Sequence, residues 1–209
     1  MPIISIERSK DRRDSILAAA SAIFSRKGYE AASIAEIAQA AGVSDGLVYK
    51  YFDSKRDLLI AALTAFYERV ISDFERQSGA GATFAERLRN LVRTHLGVFA
   101  NDTGLCRLFI SEVRVSTDYP GSSVQLLNKR YTAVLVRLVR EGIERGEVRA
   151  DTDPVVVRDL LFGAIEHMAW RHIVGRRTLD CDRLAREVTL IIVGGIADQA
   201  AQRRRRGTS

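Results

Sequence analysis

The sequence predicts an all-α protein of about nine helices, in which a small three-helix N-terminal head precedes a larger helical body. The 209 residues include only three prolines, and runs that alternate apolar and polar residues, as strands do, are few. Apolar residues instead recur three and four positions apart, which places them on one face of a helix. Capping motifs and glycines mark where successive helices would begin and end.

The first two helices of the head are defined by their ends. An amphipathic first helix is expected to stop at Gly28, because glycine readily adopts the left-handed conformation of a helix terminus. Ser33 and Glu36 then form a Ser-x-x-Glu capping box that opens a second helix. This second helix is short, since Gly42 supplies the next stop.

A third short helix and a long fourth helix follow closely. Ser44 can cap the third helix through its hydroxyl group, and this helix is expected to continue through Tyr51. Ser54 and Asp57 form a weaker box at the start of the fourth helix. The fourth helix would therefore begin almost directly where the head ends.

The body holds the remaining helices. We place the head at residues 1–53 and the body at residues 54–209. The stretch Ser78–Ala82 is the clearest flexible segment, and Asp153-Pro154 has the cap and first-turn proline of a helix start. The later helices are expected at roughly 83–100, 103–117, 121–145 and 153–175, and from 181 into the final arginines.

The composition excludes several classes of protein. Apolar residues make up 46% of the chain and charged residues 28%, so a packed core is feasible. No uncharged apolar run is long enough for a membrane-spanning helix, and the first residues do not resemble a secretory signal. Cys106 and Cys181 lie far apart and do not suggest a disulfide framework, so a reducing cytoplasm is expected.

The net charge of +6 is only weak evidence for nucleic-acid binding. Four of these charges belong to Arg203–Arg206 near the C-terminus, which we interpret as a solvated end in preference to a DNA clamp. Residues 1–57 carry nine basic and eight acidic side chains. An inference about DNA must therefore depend on a motif.

The motif lies in residues 33–59, where Gly42-Val43-Ser44 separates two short helices. The small residues Ala38 and Ala41 let these helices cross closely, and the glycine lets the chain change direction without strain. Backbone N–H groups at the start of the second short helix are unpaired, which suits phosphate. In helix-turn-helix proteins this second helix enters the major groove of DNA.

This segment resembles the TetR family of one-component bacterial transcriptional regulators. The resemblance covers about residues 12–60, and beyond them only the length and the helix layout agree. Ala-Gly-Val-Ser, a short helix with Gly and Tyr, and Phe-x-Ser-Lys are together more specific than a generic helix pair. The residues that carry the resemblance are Ile34, Ile37, Ala38, Ala41, Gly42, Val43, Ser44, Gly46, Tyr49, Phe52, Ser54, Lys55 and Leu58.

The resemblance implies roles for the matching side chains. Ser33, Tyr49 and Lys55 would contact phosphates. Asp45 departs from the family pattern, in which a basic residue is common. A carboxylate does not bind phosphate, so Asp45 would accept a hydrogen bond from a cytosine amino group, cap the helix or pair with Lys50. The residues expected to face the groove are Ser44, Asp45, Gly46, Leu47, Lys50 and Tyr51.

Two other parts of the head have simpler interpretations. Val48 and Phe52 are assigned to the core of the head. The basic residues Arg8, Lys10, Arg12 and Arg13 are either an arm along DNA or a solvated face, because Asp11 and Asp14 dilute their charge.

The sequence offers no recognisable catalytic or metal site. His167 and His172 are five residues apart on a helix, about 140° around its axis, and cannot share a metal. Zinc-binding His and Cys motifs and phosphate-binding glycine loops are missing. Glu166, His167 and Arg171 are better explained as polar residues near a pocket than as a catalytic cluster. We therefore predict no enzymatic activity, no metal and no cofactor.

The eighth and ninth helices look too apolar for the surface of a monomer. We predict a homodimer in which these two helices of each subunit form a four-helix interface, as the resemblance also implies. Their apolar residues are Val155, Val156, Leu160, Leu161, Ala164, Ile165 and Met168 on the eighth helix and Leu184, Val188, Ile191, Ile192 and Ile196 on the ninth.

The body has more apolar and aromatic residues than a dimerisation module needs. Each alone is readily a core residue, but together they suit an apolar pocket with polar groups at its edge. We expect a hydrophobic or amphipathic small molecule, such as one with an acyl chain, to release a repressor from its double-stranded DNA operator. The candidate ligand-binding residues are His95, Phe99, Leu105, Phe109, Val113, Tyr131, His167, Trp170 and Arg171.

Two other classes of function stay open from the sequence. A ligand-independent DNA-binding or architectural protein would have a solidly packed body. An enzyme with a DNA-binding head would need a convergent catalytic cluster, which the sequence lacks.

Overall fold

The computed structural model describes residues 3–78, 81, 83–175 and 177–196, without the side chains of residues 3–8 and 78. The Arg203–Arg206 tail, most of the predicted flexible segment and the predicted end of the ninth helix lie outside the described residues. So does the side chain of Arg8.

Within these residues the protein is all-α, with nine α-helices, and the predicted fold class is confirmed. The helices follow the predicted order. They are α1 (Ile3–Lys27), α2 (Ile34–Ala41), α3 (Asp45–Tyr51), α4 (Lys55–Ser78), α5 (Phe84–Asn101), α6 (Thr103–Leu108), α7 (Ser123–Glu144), α8 (Pro154–Ile173) and α9 (Cys181–Ile196).

The predicted capping motifs form. Ser33 Oγ accepts a hydrogen bond from the Glu36 N–H at 3.2 Å, and the Glu36 carboxylate accepts one from the Ser33 N–H at 3.3 Å. Thr83 and Glu86, which have the same spacing at the start of α5, make a further reciprocal pair at 3.1 and 3.2 Å. Asp153 caps α8 by accepting from a backbone N–H two residues later at 2.7 Å. Each motif satisfies N–H groups that a helix start leaves unpaired.

The segment after α6 departs from the prediction. We expected one helix over 103–117, but α6 continues as a π-turn over Phe109–Val113 and the helix ends there. The Arg114 N–H donates to the Phe109 carbonyl oxygen, five residues earlier, at 2.8 Å. Apolar residues at every fourth position, as in this segment, do not distinguish an α-turn from a π-turn. The sequence pattern therefore placed the helix end too late.

One compact unit, here called the first unit, consists of Met1–Arg69 and Asp102–Leu127. In it α1 packs against α2 and α6. The two helices lie close together at Gly104, where an added Cβ would lie 2.0 Å from Ser25 Oγ and 2.3 Å from the Ser25 carbonyl oxygen. Gly104 thus lets the backbone of α6 lie directly on the end of α1. The fully buried core side chains include Ile16, Phe24, Ile37, Val48, Leu58, Leu59 and Leu63.

The second unit consists of Val70–Asn101 and Asn128–Ser209. In it α5 packs against α8 and α9, and the fully buried side chains include Ile71, Phe74, Leu88, Leu91, Leu96 and Leu135. The borders of the two units fall inside or beside helices and do not coincide with the head and body boundary at residues 53 and 54. That boundary stays a prediction.

Replacing Gly104 with alanine should lower the free energy of unfolding by about 1–3 kcal/mol, because the new methyl group must push α6 away from Ser25. Gly97→Ala in α5 is the matched control, since its Cβ would come no closer than 3.9 Å to a described atom. This control should be neutral or more stable by up to about 1 kcal/mol. Urea midpoints measure both changes. Equal midpoints for the two variants would contradict the close packing at Gly104.

Candidate functional site

The two helices of the predicted motif are separated by only three residues, Gly42, Val43 and Ser44. Gly42 ends α2 in the left-handed conformation, with φ 67°. Ser44 begins α3 in extended conformation, and its Oγ accepts from the Leu47 N–H at 3.3 Å. These two caps produce the sharp turn of a helix-turn-helix.

The rotation of α3 about its axis follows from one buried residue. Val48 is fully buried, and Phe52, just after the helix, is buried as well. The opposite side of α3 is exposed, and Leu47 and Tyr51 at its flanks are half-buried. The residues exposed on α3 are Asp45, Gly46, Tyr49 and Lys50.

Two of the predicted DNA-contacting side chains already have partners within the first unit. Tyr51 Oη forms a hydrogen bond of 2.9 Å with Ser9 Oγ on α1. Lys55 Nζ donates to the Glu30 carbonyl oxygen at 3.1 Å and lies 4.5 Å from the centroid of the Tyr29 ring. These contacts hold both side chains close to the protein and leave them only part of their hydrogen-bonding capacity for DNA.

Ser33 is also engaged. Its hydroxyl belongs to the capping box of α2, and Glu36 in that box forms an ion pair with Lys27. The hydrogen bond from Lys27 holds the pKa of Glu36 below its ordinary value. The Ser33 hydroxyl therefore stabilises the start of α2, and its predicted phosphate contact stays a prediction.

The basic segment near the N-terminus is helical. It continues α1, which begins at Ile3, and does not form an extended arm. Lys10, Arg12 and Arg13 are exposed, and the Arg13 guanidinium lies 5.4 Å from the centroid of the Phe52 ring. Within the described residues this segment is an exposed helix face, and a contact with DNA stays one of the two interpretations.

The structure narrows the three roles considered for Asp45. Ser44 supplies the cap of α3, so Asp45 does not. Among the described side chains Asp45 has no hydrogen-bond or ion-pair partner, and Lys50 does not pair with it. Its carboxylate is exposed on the first turn of α3.

In the second unit, His95 is buried in a cluster of aromatic rings. Its Nδ1 and Tyr131 Oη share a hydrogen bond of 2.6 Å. The rings of Phe74, Phe99 and Phe162 lie with centroids 6.3, 5.2 and 4.6 Å from that of the imidazole. Burial lowers the pKa of His95 to about 3, so the imidazole is neutral near pH 7.

The other ligand-binding candidates do not join this cluster. Leu105, Phe109 and Val113 are buried in the first unit, on α6 and the π-turn, where the Phe109 ring lies 5.5 Å from that of Tyr67. His167, Trp170 and Arg171 are exposed on α8. The structure thus brings together only His95, Phe99 and Tyr131 of the predicted set.

Sequence reasoning missed two members of the cluster, Phe74 on α4 and Phe162 on α8. The helix α8 is apolar on several faces, so spacing alone did not show which face is inward. Its buried stripe is Val157, Leu161, Ile165, Ala169 and Ile173. A buried histidine on an otherwise apolar helix face was the one signal that pointed to this place.

Two further properties concern the described part of the chain. No group of three or more His, Cys, Asp or Glu side chains in it is arranged to hold a metal ion. None of the described helices is long and apolar enough to span a lipid bilayer.

Comparison with protein families agrees with this geometry. The family model for bacterial regulatory proteins of the tetR family matches residues 16–62, which include α2 and α3. A model for the tetracyclin repressor-like C-terminal domain matches residues 81–196, which include α5 to α9. The chain belongs to the tetR family. It is therefore a DNA-binding transcriptional regulator.

Individual relatives of this tetR-family regulator cover nearly its whole length. The fatty acid metabolism regulator protein of Bacillus subtilis (strain 168) is 28% identical, over 87% of this chain and 93% of that protein. The transcriptional repressor KstR2 of Mycolicibacterium smegmatis is 23% identical, over 88% and 90%. The crystal structure of the transcriptional regulator FadR from Bacillus subtilis in complex with stearoyl-CoA has a TM-score of 0.77 and 27% identity, over 87% and 98% of the two chains.

The buried His95 should make the stability of this tetR-family regulator depend on pH. Its pKa is about 3 in the folded protein and about 6.5 in the unfolded chain. The unfolded chain therefore binds more protons between these values, and stability falls as the pH drops below about 6.5, by up to about 1.4 kcal/mol per pH unit.

Urea midpoints of the wild type and His95→Gln between pH 4.5 and 7.5 measure this effect. The variant removes the titrating group and keeps a polar side chain, while the carboxylates contribute equally to both proteins. The wild type should show the steeper loss of stability towards low pH. Parallel pH profiles would contradict the assignment of His95 as a buried neutral group.

Proposed function

We propose that this tetR-family regulator is a homodimeric cytoplasmic repressor that leaves its double-stranded DNA operator when an amphipathic, acyl-bearing ligand binds its body. The exposed face of α3 supports the DNA-binding half of this proposal. The ligand-binding half is supported by the buried His95 cluster and by the likeness to a regulator that was solved with stearoyl-CoA.

The exposed face of α3 has the groups that a major-groove contact needs. Lys50 supplies a cation and three donors, which suit the O6 and N7 acceptors of guanine. Tyr49 supplies a hydroxyl group for phosphate. Ser33, Tyr51 and Lys55, which already have partners within the first unit, hold α2, α3 and α4 in place and add only their remaining hydrogen bonds.

A second copy of the chain is the proposed partner of α8 and α9. On α8 one stripe is exposed at alternating spacings of four and three residues, the spacing of a helix that packs along another helix. On α9, Leu190 and Ile191 are 75% and 73% exposed. The exposed stripe of α8 is Val156, Leu160, Gly163, His167 and Trp170.

The glycines on these two faces support a close helix contact. At Gly163, Gly194 and Gly195 an added Cβ would meet no described atom within 4 Å. Glycine is unfavourable inside a helix, and packing within the described chain does not require it here. Small residues let a second helix approach closely. We therefore assign His167 and Trp170, with Arg171 beside them, to the dimer surface and not to the ligand site.

Leu160→Asp should convert the dimer into a monomer, because two carboxylates would be buried in the interface at a cost of several kcal/mol. Leu126→Asp on α7 is the matched control, since Leu126 is 59% exposed and Leu160 62%. Sedimentation velocity at micromolar concentration should show a monomer for the first variant only. A dimer for Leu160→Asp, or a monomeric wild type, would contradict the proposed interface.

The ligand site is proposed around His95, Phe99 and Tyr131 in the second unit. Aromatic rings suit an acyl chain, and the hydrogen-bonded pair of His95 and Tyr131 offers polar atoms inside an apolar environment.

Within the first unit, α6 is the proposed link to the DNA-binding helices. Residues 102–127 belong to the matched C-terminal domain but form one compact unit with α1 to α3. Arg69 Nη2 lies 2.8 Å from Asp102 Oδ1, and the Arg56 guanidinium donates to the Glu112 carbonyl oxygen at 3.4 Å. A movement of this segment would shift the start of α4 and the end of α1 with it. Leu105, Phe109 and Val113 are assigned to this segment.

The experiment combines operator binding with ligand release. Selection from a random duplex library should give a near-palindromic site whose half-sites are about 34–36 Å apart, or a multiple of that. Stearoyl-CoA should then weaken binding by about 5- to 150-fold in fluorescence anisotropy, while coenzyme A alone should not. Tyr131→Phe keeps the ring and loses the hydrogen bond. This variant should change the stearoyl-CoA concentration needed for half-release and leave the affinity for the operator unchanged.

The outcomes separate the competing functions. If the protein selects an operator but acyl-CoA esters of several chain lengths do not weaken binding, the acyl ligand is wrong and a ligand-independent DNA-binding protein is favoured. If selection enriches no sequence, the DNA-binding assignment of α3 fails.

A further inference from the structure

We propose that Asp45 selects a cytosine at one position in each half of the operator. This inference rests on the proposed function, in which α3 enters the major groove. It names the base whose amino group would donate a hydrogen bond to the Asp45 carboxylate.

Asp45 lies on the surface of α3 that would meet DNA. It is exposed, and it precedes the exposed Tyr49 by four residues, which places both on the same side of the helix. Gly46 and Lys50, which form the next row on the exposed side, are four residues apart as well. The buried Val48 faces the core and not this surface. The carboxylate therefore belongs to the same surface as the proposed phosphate and base contacts.

The protein itself makes no use of this carboxylate among the described residues. The cap of α3 is the Ser44 hydroxyl, which accepts from the Leu47 N–H at 3.3 Å. Lys50, whose charge is opposite, does not form an ion pair with Asp45. All the lone pairs of the carboxylate thus stay available to an external donor.

The chemistry of the groove determines which donor this is. An ionised carboxylate only accepts hydrogen bonds, and phosphates repel it. Guanine and thymine present acceptor atoms in the major groove, and thymine adds a methyl group. Adenine has an amino donor, but the neighbouring N7 is an acceptor that repels the carboxylate. Cytosine presents its N4 amino group without such an acceptor. Cytosine is therefore the base from which a carboxylate accepts a hydrogen bond.

Gly46 explains how a side chain as short as aspartate can reach a base edge. Its φ is not positive, and an added Cβ would meet no described atom within 4 Å. Neither the conformation nor the packing within the described chain requires glycine at this position, although glycine is unfavourable in helices. A missing side chain next to Asp45 lets the backbone of α3 approach the base pairs closely.

The test uses the full-length protein and the operator that selection yields. Each symmetric pair of positions is changed to all four bases, and the affinity of each duplex is measured by fluorescence anisotropy at one fixed salt concentration. The wild type should prefer cytosine at one position per half-site by about tenfold or more. Asp45→Asn should prefer adenine there, because an amide can bond adenine N6 and N7 together. Asp45→Ala should lose the preference at that position only.

Asp53→Asn is the matched control. It removes the same charge from an exposed residue that lies just after α3. It should raise affinity for every duplex slightly, since one repulsion with phosphate is lost, and it should leave all base preferences unchanged. Thermal unfolding of each variant checks that exposed substitutions leave the fold intact.

The inference is overturned if Asp45→Ala keeps every base preference and only raises affinity uniformly, as the control does. It is overturned as well if the preference that disappears is for a base other than cytosine. A wild type that selects no operator would instead contradict the proposed function, and with it any base contact by α3.

Discussion

The burial of Val48 and Phe52 determines which side of α3 faces outward. Each side chain contributes about 1.5–3 kcal/mol by leaving water, and both do so only at one rotation of the helix. Gly42 fixes the residue at which α2 ends, and Ser44 fixes the residue at which α3 begins. The exposed residues of α3 are therefore a consequence of the buried ones. The rotation of α3 therefore does not depend on its exposed residues.

This arrangement matters because the DNA-binding part has little net charge. Residues 1–57 carry nine basic and eight acidic side chains. Binding without sequence preference depends on cations that neutralise phosphates, and several of the cations near α2 and α3 are engaged within the protein. Lys27 pairs with Glu36, and Lys55 is held by Glu30 and Tyr29. In the proposed function, this weak general attraction makes direct contacts between the exposed face of α3 and the bases a larger share of the total.

The sequence predicted the DNA-binding part well because its signals are local. The capping box of Ser33, the stop at Gly42 and the cap at Ser44 each act over three or four residues, and each forms as expected. The His95 cluster could not be predicted in this way. Its rings come from four helices, and Phe74 and Phe162 are 88 positions apart in the numbering. The exposure of His167 and Trp170 could not be predicted either. The helix α8 is apolar on two sides, and residue spacing alone does not show which side another helix covers.

The two apolar sides of α8 have different surroundings. Val157, Leu161 and Ile165 face the core of the second unit, with Phe162 in the aromatic cluster around His95. Leu160 and Gly163 face outward, on the proposed dimer surface. Because an α-helix moves as one body over this distance, a ligand that displaced the backbone of α8 at Phe162 would also displace Leu160 and Gly163. In the proposed function, a ligand near His95 would therefore act on the dimer surface through α8.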